Sequence, residues 1–163
     1  MNNHGNFLPT PCCFHNTVNR LGELPAYYVR GENSWQPCSW THYGEQVDSA
    51  SRALIALGVG KADVVCILGF NRPEWAIMDL AAMAVGAAAA GIYWTCAPVE
   101  VEYVLEHSKA RVLLVENAAQ YEKIRAARSH LSHLQHVIIM SEHGLPEVMA
   151  WPEFLALGTQ QYH

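Results

Sequence analysis

The chain predicts an α/β protein: an N-terminal hairpin followed by an open, mainly parallel β-sheet with helices on both faces. Three observations carry that reading. Val64–Gly69 is a continuous apolar run rich in β-branched residues, the pattern of a strand buried on both faces, and Arg111–Glu116 and His136–Met140 repeat the strand pattern. Segments with helical periodicity separate them, and alternation of this kind implies right-handed crossovers in a parallel sheet. The length of 163 residues fits one domain or most of one, and such a chain buries roughly 70% of its unfolded surface.

Taken in order, residues 1–12 are polar, hold Pro9 and Pro11, and read as a loose tail. Phe14–Leu21 predicts a short helix, and residues 1–25 together are set apart from the α/β body, 26–163. Ala26–Arg30 and Trp35–Trp40 flank the turn residues Gly31-Glu32-Asn33-Ser34 and predict a hairpin. Thr41 is a plausible N-cap for a helix whose apolar stripe is Tyr43, Val47, Ala50, Leu54 and Leu57. Gly58 fits the position after that helix, with Val59 as the apolar residue beyond it.

After the strand at Val64–Gly69, Asn71 and Glu74 read as a capping box with Pro73 in the first turn. The following helix is expected from Trp75 to about Ala89, apolar almost all round and therefore covered on most sides. Ile92–Thr95 then predicts a short strand, Pro98–His107 a helix, Ala118–Ser129 another helix, and Pro152–Leu157 a closing helical turn. The polar stretch Ser141–Pro146 reads as a loop.

Composition removes several classes of function. Hydrophobic residues make up 51% and charged residues 15% of the chain, which is globular and not disordered. The net charge is −5 and no Lys/Arg cluster occurs, so nucleic acid is excluded as the expected partner. Five cysteines, an odd number without a CxxC pair, argue for a reducing compartment and against a disulfide framework. With no basic and apolar leader at the N-terminus, the expected location is cytoplasmic. Trp75–Trp94 is long enough to span a membrane. It is mostly Ala and Gly, however, and Asp79 would cost about 3 kcal/mol near a helix centre. A buried helix followed by a strand is the better account, and no transmembrane segment is expected.

The reactive motifs are thin. Gly58-Val59-Gly60-Lys61 fails both the Walker and the dinucleotide patterns and reads as a helix stop. His130, His133 and His136 are spaced three apart, with His143 beyond, but the third drifts off the helical face and no carboxylate joins them, so no metal site is assigned. Cys12-Cys13 with His15 lacks a third orienting group. An open parallel sheet binds ligands beyond the carboxyl ends of its strands. Those ends carry Phe70, Asn71, Arg72, Thr95, Cys96, Asn117 and Ser141. Asn71, Arg72 and Thr95 are the candidate site residues, with Arg72 beside a helix N-terminus placed to meet an anion. The plainer alternative is that Asn71 and Glu74 cap the helix and Arg72 is solvated.

A wider pattern runs from Trp40 to Gly158. It comprises Thr41 with its helix, Leu57-Gly58-Val59, Asp63-Val64-Val65-Cys66-Ile67, Asn71-Arg72-Pro73-Glu74-Trp75, Gly91-Ile92-Tyr93, Tyr103-Val104-Leu105-Glu106-His107-Ser108 and Glu153-Phe154-Leu155-Ala156-Leu157-Gly158. In this order and spacing it resembles the N-terminal part of long-chain fatty-acyl-CoA synthetases, nearest the bubblegum type, within the adenylate-forming AMP-dependent synthetase superfamily. Trp94 and Ala97 stand where that class leads one to expect Thr and Ser.

The resemblance implies an incomplete N-terminal domain whose parent joins a fatty acid to ATP with Mg²⁺, giving acyl-AMP, and then transfers the acyl group to CoA. It also implies that the Ser/Thr/Gly-rich phosphate loop and the mobile C-terminal lysine domain lie beyond His163. No catalytic residue is therefore carried over, no cofactor is assigned to these residues, and the chain is expected to be inactive alone. Its expected partner is the remainder of the synthetase, or a second copy through uncovered apolar surface; the parent could also sit peripherally on a membrane. Two alternatives stay open: a non-catalytic truncated paralogue that binds a partner, and a flavodoxin-like domain for a small anion or nucleotide.

Overall fold

The computed structural model describes residues 8–141 and 144–160. Helix α1 (Thr10–Leu21) leads into a hairpin of β1 (Pro25–Arg30) and β2 (Trp35–Ser39), then α2 (Trp40–Ala56). From there strands and helices alternate: β3 (Val64–Leu68), α3 (Pro73–Ala84), β4 (Ala88–Ile92), α4 (Pro98–Ser108), β5 (Val112–Val115), α5 (Ala118–Arg125) and β6 (His136–Ile139). A two-residue β7 (Met149–Ala150) and α6 (Trp151–Gln160) close the chain. The five strands β4-β3-β5-β6-β7 form one sheet in that spatial order, and every neighbouring pair is parallel. The expected α/β architecture is therefore present, with one more strand than the sequence indicates.

The period of two along each strand builds two cores from one sheet. Val65, Ile67, Val112, Leu114 and Ile138 face a cluster completed by α1, α2, α3 and α6. Cys66, Leu68, Leu113, Val115, Val137 and Ile139 face the opposite cluster, covered by α4 and α5. That is why these runs show no polar alternation: both faces of the sheet are dry. The α2 stripe behaves as its spacing predicts, with Val47, Ala50 and Leu54 buried and Tyr43 and Leu57 packed at the margin.

Several boundaries differ from the sequence reading, each for a physical reason. Helix α1 begins at Thr10, four residues early, because Pro11 falls in its first turn, where a missing N–H costs nothing; residues 1–7 of the expected tail lie outside the described residues. The N-cap of α2 is Ser39 and not Thr41: its hydroxyl accepts from His42 N–H at 3.2 Å. Arg72, not Asn71, occupies the N-cap position of α3, and Glu74 accepts from the Arg72 guanidinium instead of from a cap backbone N–H.

The largest shift concerns the alanine run. Helix α3 stops at Ala84, and Ala88–Ile92 is a strand where a helix extending to Ala89 is expected. Gly86, at φ 81°, reverses the chain in a Schellman turn, with Gly86 N–H donating to Met83 O and Ala87 N–H to Ala82 O. Alanine prefers helix, but the free edge of β3 offers five register positions for pairing. Small residues are also required there, because a Cβ on Gly91 would lie 2.9 Å from Trp75 Cζ2. The same turn logic ends α2: Gly58 N–H donates to Ile55 O, and Val59 N–H to Leu54 O, at φ 77° for Gly58. Among the described residues no helix is long and apolar enough to cross a membrane.

Candidate functional site

From β3 the chain moves first to one side, forming β4, and then to the other, forming β5, β6 and β7. The reversal opens a crevice between the carboxyl ends of β3 and β5, the position where open α/β sheets hold ligands. Backbone packing there is tight. A Cβ on Gly69 would approach Glu116 Cβ to 2.7 Å, so only glycine lets the two strand ends converge. Glu116 fastens the junction: its N–H donates to Leu68 O, its carbonyl accepts from Ser141 N–H, and its Oε2 accepts from Phe70 N–H at 3.0 Å.

Above the junction lies an open groove of about 860 Å³. The hairpin walls one side with Tyr27, Tyr28 and Trp35; Arg72 and Trp151 close the other. Tyr27 is half-buried, and its hydroxyl hydrogen-bonds Gln46 Oε1 at 3.3 Å. Burial, followed by the neighbouring Cys38, pushes its phenol upward, so it stays a neutral donor. Arg72 forks onto Glu74 at 3.3 and 3.1 Å. Its charge is thereby largely answered within the chain before any ligand arrives.

Of the three candidate site residues, the structure brings two together. Asn71 and Arg72 both border the groove, and Asn71 also borders a smaller hollow of about 250 Å³ floored by Trp75 and walled by Tyr93. Thr95 does not line the groove. It sits in the turn after β4, which Lys123 of α5 fixes from below by donating its Nζ to Trp94 O and Cys96 O. Glu100 holds the far side of that turn by accepting from Ala97 N–H at 2.6 Å. Phe70, which borders the groove, stacks on Trp94 beside the Thr95 turn, with ring centroids 4.3 Å apart. Asn117 is a helix cap, its Oδ1 accepting from Gln120 N–H at 3.1 Å.

Chemically the groove is an open surface with aromatic walls. Cys38 and His42 both border it. The Cys38 thiol, however, turns to Ser39 O at 3.6 Å, and His42 Nδ1 faces Glu45 Oε2 at 3.5 Å, so no nucleophile is coupled to a base. Among the described residues no group of three or more His, Cys, Asp or Glu could hold a metal ion. His136 opens β6, away from any helical face shared with His130 and His133, and His143 lies outside the described residues. The sequence does not signal that the hairpin and Trp151 contribute to the groove. Glu116 could have been found, since it follows the last residue of β5.

A family model described as AMP-binding enzyme matches residues 14–155. The chain is 34% identical over 148 residues to long-chain-fatty-acid–CoA ligase ACSBG2 of Xenopus laevis, covering 89% of this chain and 20% of that protein. It is 34% identical over 161 residues to human ACSBG2, covering 95% of this chain and 24% of that protein. Against ACSBG1 of Bos taurus the figures are 31% over 150 residues, 90% and 21%. The chain thus spans about a fifth of the length of the curated relatives it matches.

Among solved structures, an anthranilate CoA ligase, AuaEII, in complex with anthranoyl-AMP superposes with a TM-score of 0.82 at 21% identity, over 92% of this chain and 28% of that one. A long-chain-fatty-acid–CoA ligase, FadD1, of Archaeoglobus fulgidus gives 0.79 at 18% identity, over 93% and 30%. At these identities the structural matches establish the shared fold.

Proposed function

The chain belongs to the AMP-binding enzyme family, and from that premise we propose that it forms the N-terminal part of a bubblegum-type long-chain-fatty-acid–CoA ligase and acts there as scaffold. The whole ligase would activate a fatty acid with ATP and Mg²⁺ to acyl-AMP, release pyrophosphate, and pass the acyl group to CoA. These 163 residues would supply one wall of that enzyme and none of its bond-making groups.

One observation carries the reading: the groove at the strand reversal is built for contact and not for phosphate chemistry. A triphosphate with Mg²⁺ calls for clustered backbone N–H groups, a lysine and carboxylates free to hold the ion. Here Arg72 is forked onto Glu74, Glu116 Oε2 is committed to Phe70 N–H, and aromatic side chains make the walls. The residues present do not fit ATP, and no step is assigned through it. The exposed apolar surface after β4 and along α4, Tyr93, Trp94, Val99 and Tyr103, suits coverage by the remainder of the ligase.

A pyrophosphate-release assay tests this directly. The purified 163-residue chain, given ATP, Mg²⁺, a long-chain fatty acid and CoA, is expected to release no more pyrophosphate than a protein-free control. Fatty-acid-dependent turnover would refute the scaffold reading.

A further inference from the structure

We propose that Cys12 and Cys13 form an S-acylation site on α1, through which two long acyl chains anchor this chain to a lipid surface. The proposal goes beyond the scaffold reading and does not depend on it, since it uses only these thiols and their place in the fold.

Helix α1 sorts its residues between a packed face and an open one. Phe14 is buried, and Val18 packs with it against the cluster that α2 completes. The Phe14 ring meets Tyr43 edge-on, with centroids 4.9 Å apart. Cys12 and Cys13 fall outside that packed face, and both are exposed. Cys13 Sγ makes only a long contact to Leu8 O, at 3.7 Å. The other three cysteines are placed differently. Cys66 is fully buried, Cys38 is half-buried and turned to Ser39 O, and Cys96 is half-buried in the turn that Lys123 holds.

Adjacency limits what the pair can do. Consecutive Cα atoms lie about 3.8 Å apart, short of the roughly 4.4–6.8 Å that a disulfide spans. Within a helix the pair therefore stays as two free thiols, each a nucleophile toward a thioester. Attack of Sγ on the carbonyl carbon of a long-chain acyl-CoA forms a new thioester and breaks the old C–S bond. CoA leaves as its thiol, carrying the cysteine proton, so the step needs no oxidant or reductant. One acyl chain holds a protein to a bilayer only marginally and reversibly, whereas two hold it stably. A neighbouring pair on an amphipathic helix supplies both at one point.

The surroundings suit a bilayer. No Asp or Glu occurs before Glu23, although the whole chain holds 15, and Arg20 lies in the last turn of α1. A negatively charged leaflet therefore meets no carboxylate along this segment. Asp48 of α2 reaches toward α1, where His15 Nε2 meets it at 3.6 Å. Leu8, joined to Cys13 by the sulfur contact, is 54% exposed and gives an acyl chain an apolar neighbour.

Expression of the 163-residue chain in cultured animal cells fed an alkynyl long-chain fatty acid tests the site. The expected result is a label that neutral hydroxylamine removes, mapped by mass spectrometry to Cys12 and Cys13, on chain recovered with the membrane fraction. Hydroxylamine should return that chain to the soluble fraction. The double variant Cys12→Ser, Cys13→Ser should lose both the label and the membrane association while keeping the far-UV circular dichroism, because neither side chain is buried. Cys96→Ser should keep both. Absence of a hydroxylamine-sensitive label on Cys12 and Cys13 would overturn the proposal. So would a label or membrane association of equal strength in the double variant, or labelled chain that stays soluble. If the double variant fails to fold, mapping and hydroxylamine release on the unaltered chain still decide.

Discussion

The two ends of the sheet are built differently. At the amino ends of the strands, Arg111 ties three loops together: Nη1 donates to Gly58 O at 2.7 Å and to Asp63 Oδ2 at 3.0 Å, and Nη2 to Gln135 Oε1 at 2.8 Å. Asp63 Oδ2 also accepts from Gly60 N–H, and the Arg111 carbonyl accepts from both Gln135 and His136 N–H. At the carboxyl ends, the corresponding arginine, Arg72, forks onto its near neighbour Glu74. The groove, the smaller hollow and most of the exposed aromatic surface gather there. One end spends its polar groups on holding the domain together; the other leaves them at a surface. A scaffold that must present one face to something else is expected to divide its interactions in this way.

Removing the two arginines in turn exposes the largest difference between the ends. Arg111→Ala strips a partly buried pair and two further hydrogen bonds, and should lower stability by about 3 kcal/mol in urea titration. Glu116→Ala, which frees Phe70 N–H at the carboxyl end, should cost about 1 kcal/mol. Arg72→Ala removes a pair whose arginine is 40% exposed, and should cost no more than about 0.5 kcal/mol by the same titration. Equal losses at Arg111 and Arg72 would erase the distinction between the ends.

A titration sharpens it further. His136, at the amino end, is held below the ordinary histidine range first by burial and then by Arg111 and Arg128. Because its folded pKa is depressed, the stability it contributes is present above about pH 6.5 and is lost as pH falls through the unfolded value toward the folded one. In Arg111→Ala the His136 resonance should titrate at higher pH than in the parent chain, though still low, since burial persists. No upward movement in an NMR titration would separate His136 from the arginine hub.

Much of this architecture is legible in the residues. Val64–Leu68, Val112–Val115 and Val137–Ile139 stand out because burial on both faces removes every polar residue from them. β4 does not stand out: an alanine run carries helical propensity, and only pairing with β3 makes it a strand. β7 has two residues and no pattern to read. Asn71 and Arg72 are found on the groove because strand ends are where an open sheet binds. Tyr27, Tyr28 and Trp35 are not foreseeable, since their place opposite Arg72 is set by how the hairpin docks. Thr95 looks equivalent by the same rule, yet it does not border the groove; its turn is tied to Lys123 of α5.

Native-state hydrogen exchange at low protein concentration tests the division between the ends most directly. The Arg111, Gln135 and His136 amides, which close the amino-end network, are expected to exchange only through global unfolding. The Phe70 and Cys96 amides, bonded to Glu116 Oε2 and Tyr93 O at the carboxyl end, are expected to exchange faster through local opening. Equal protection at both ends, or slower exchange at the carboxyl end, would contradict it.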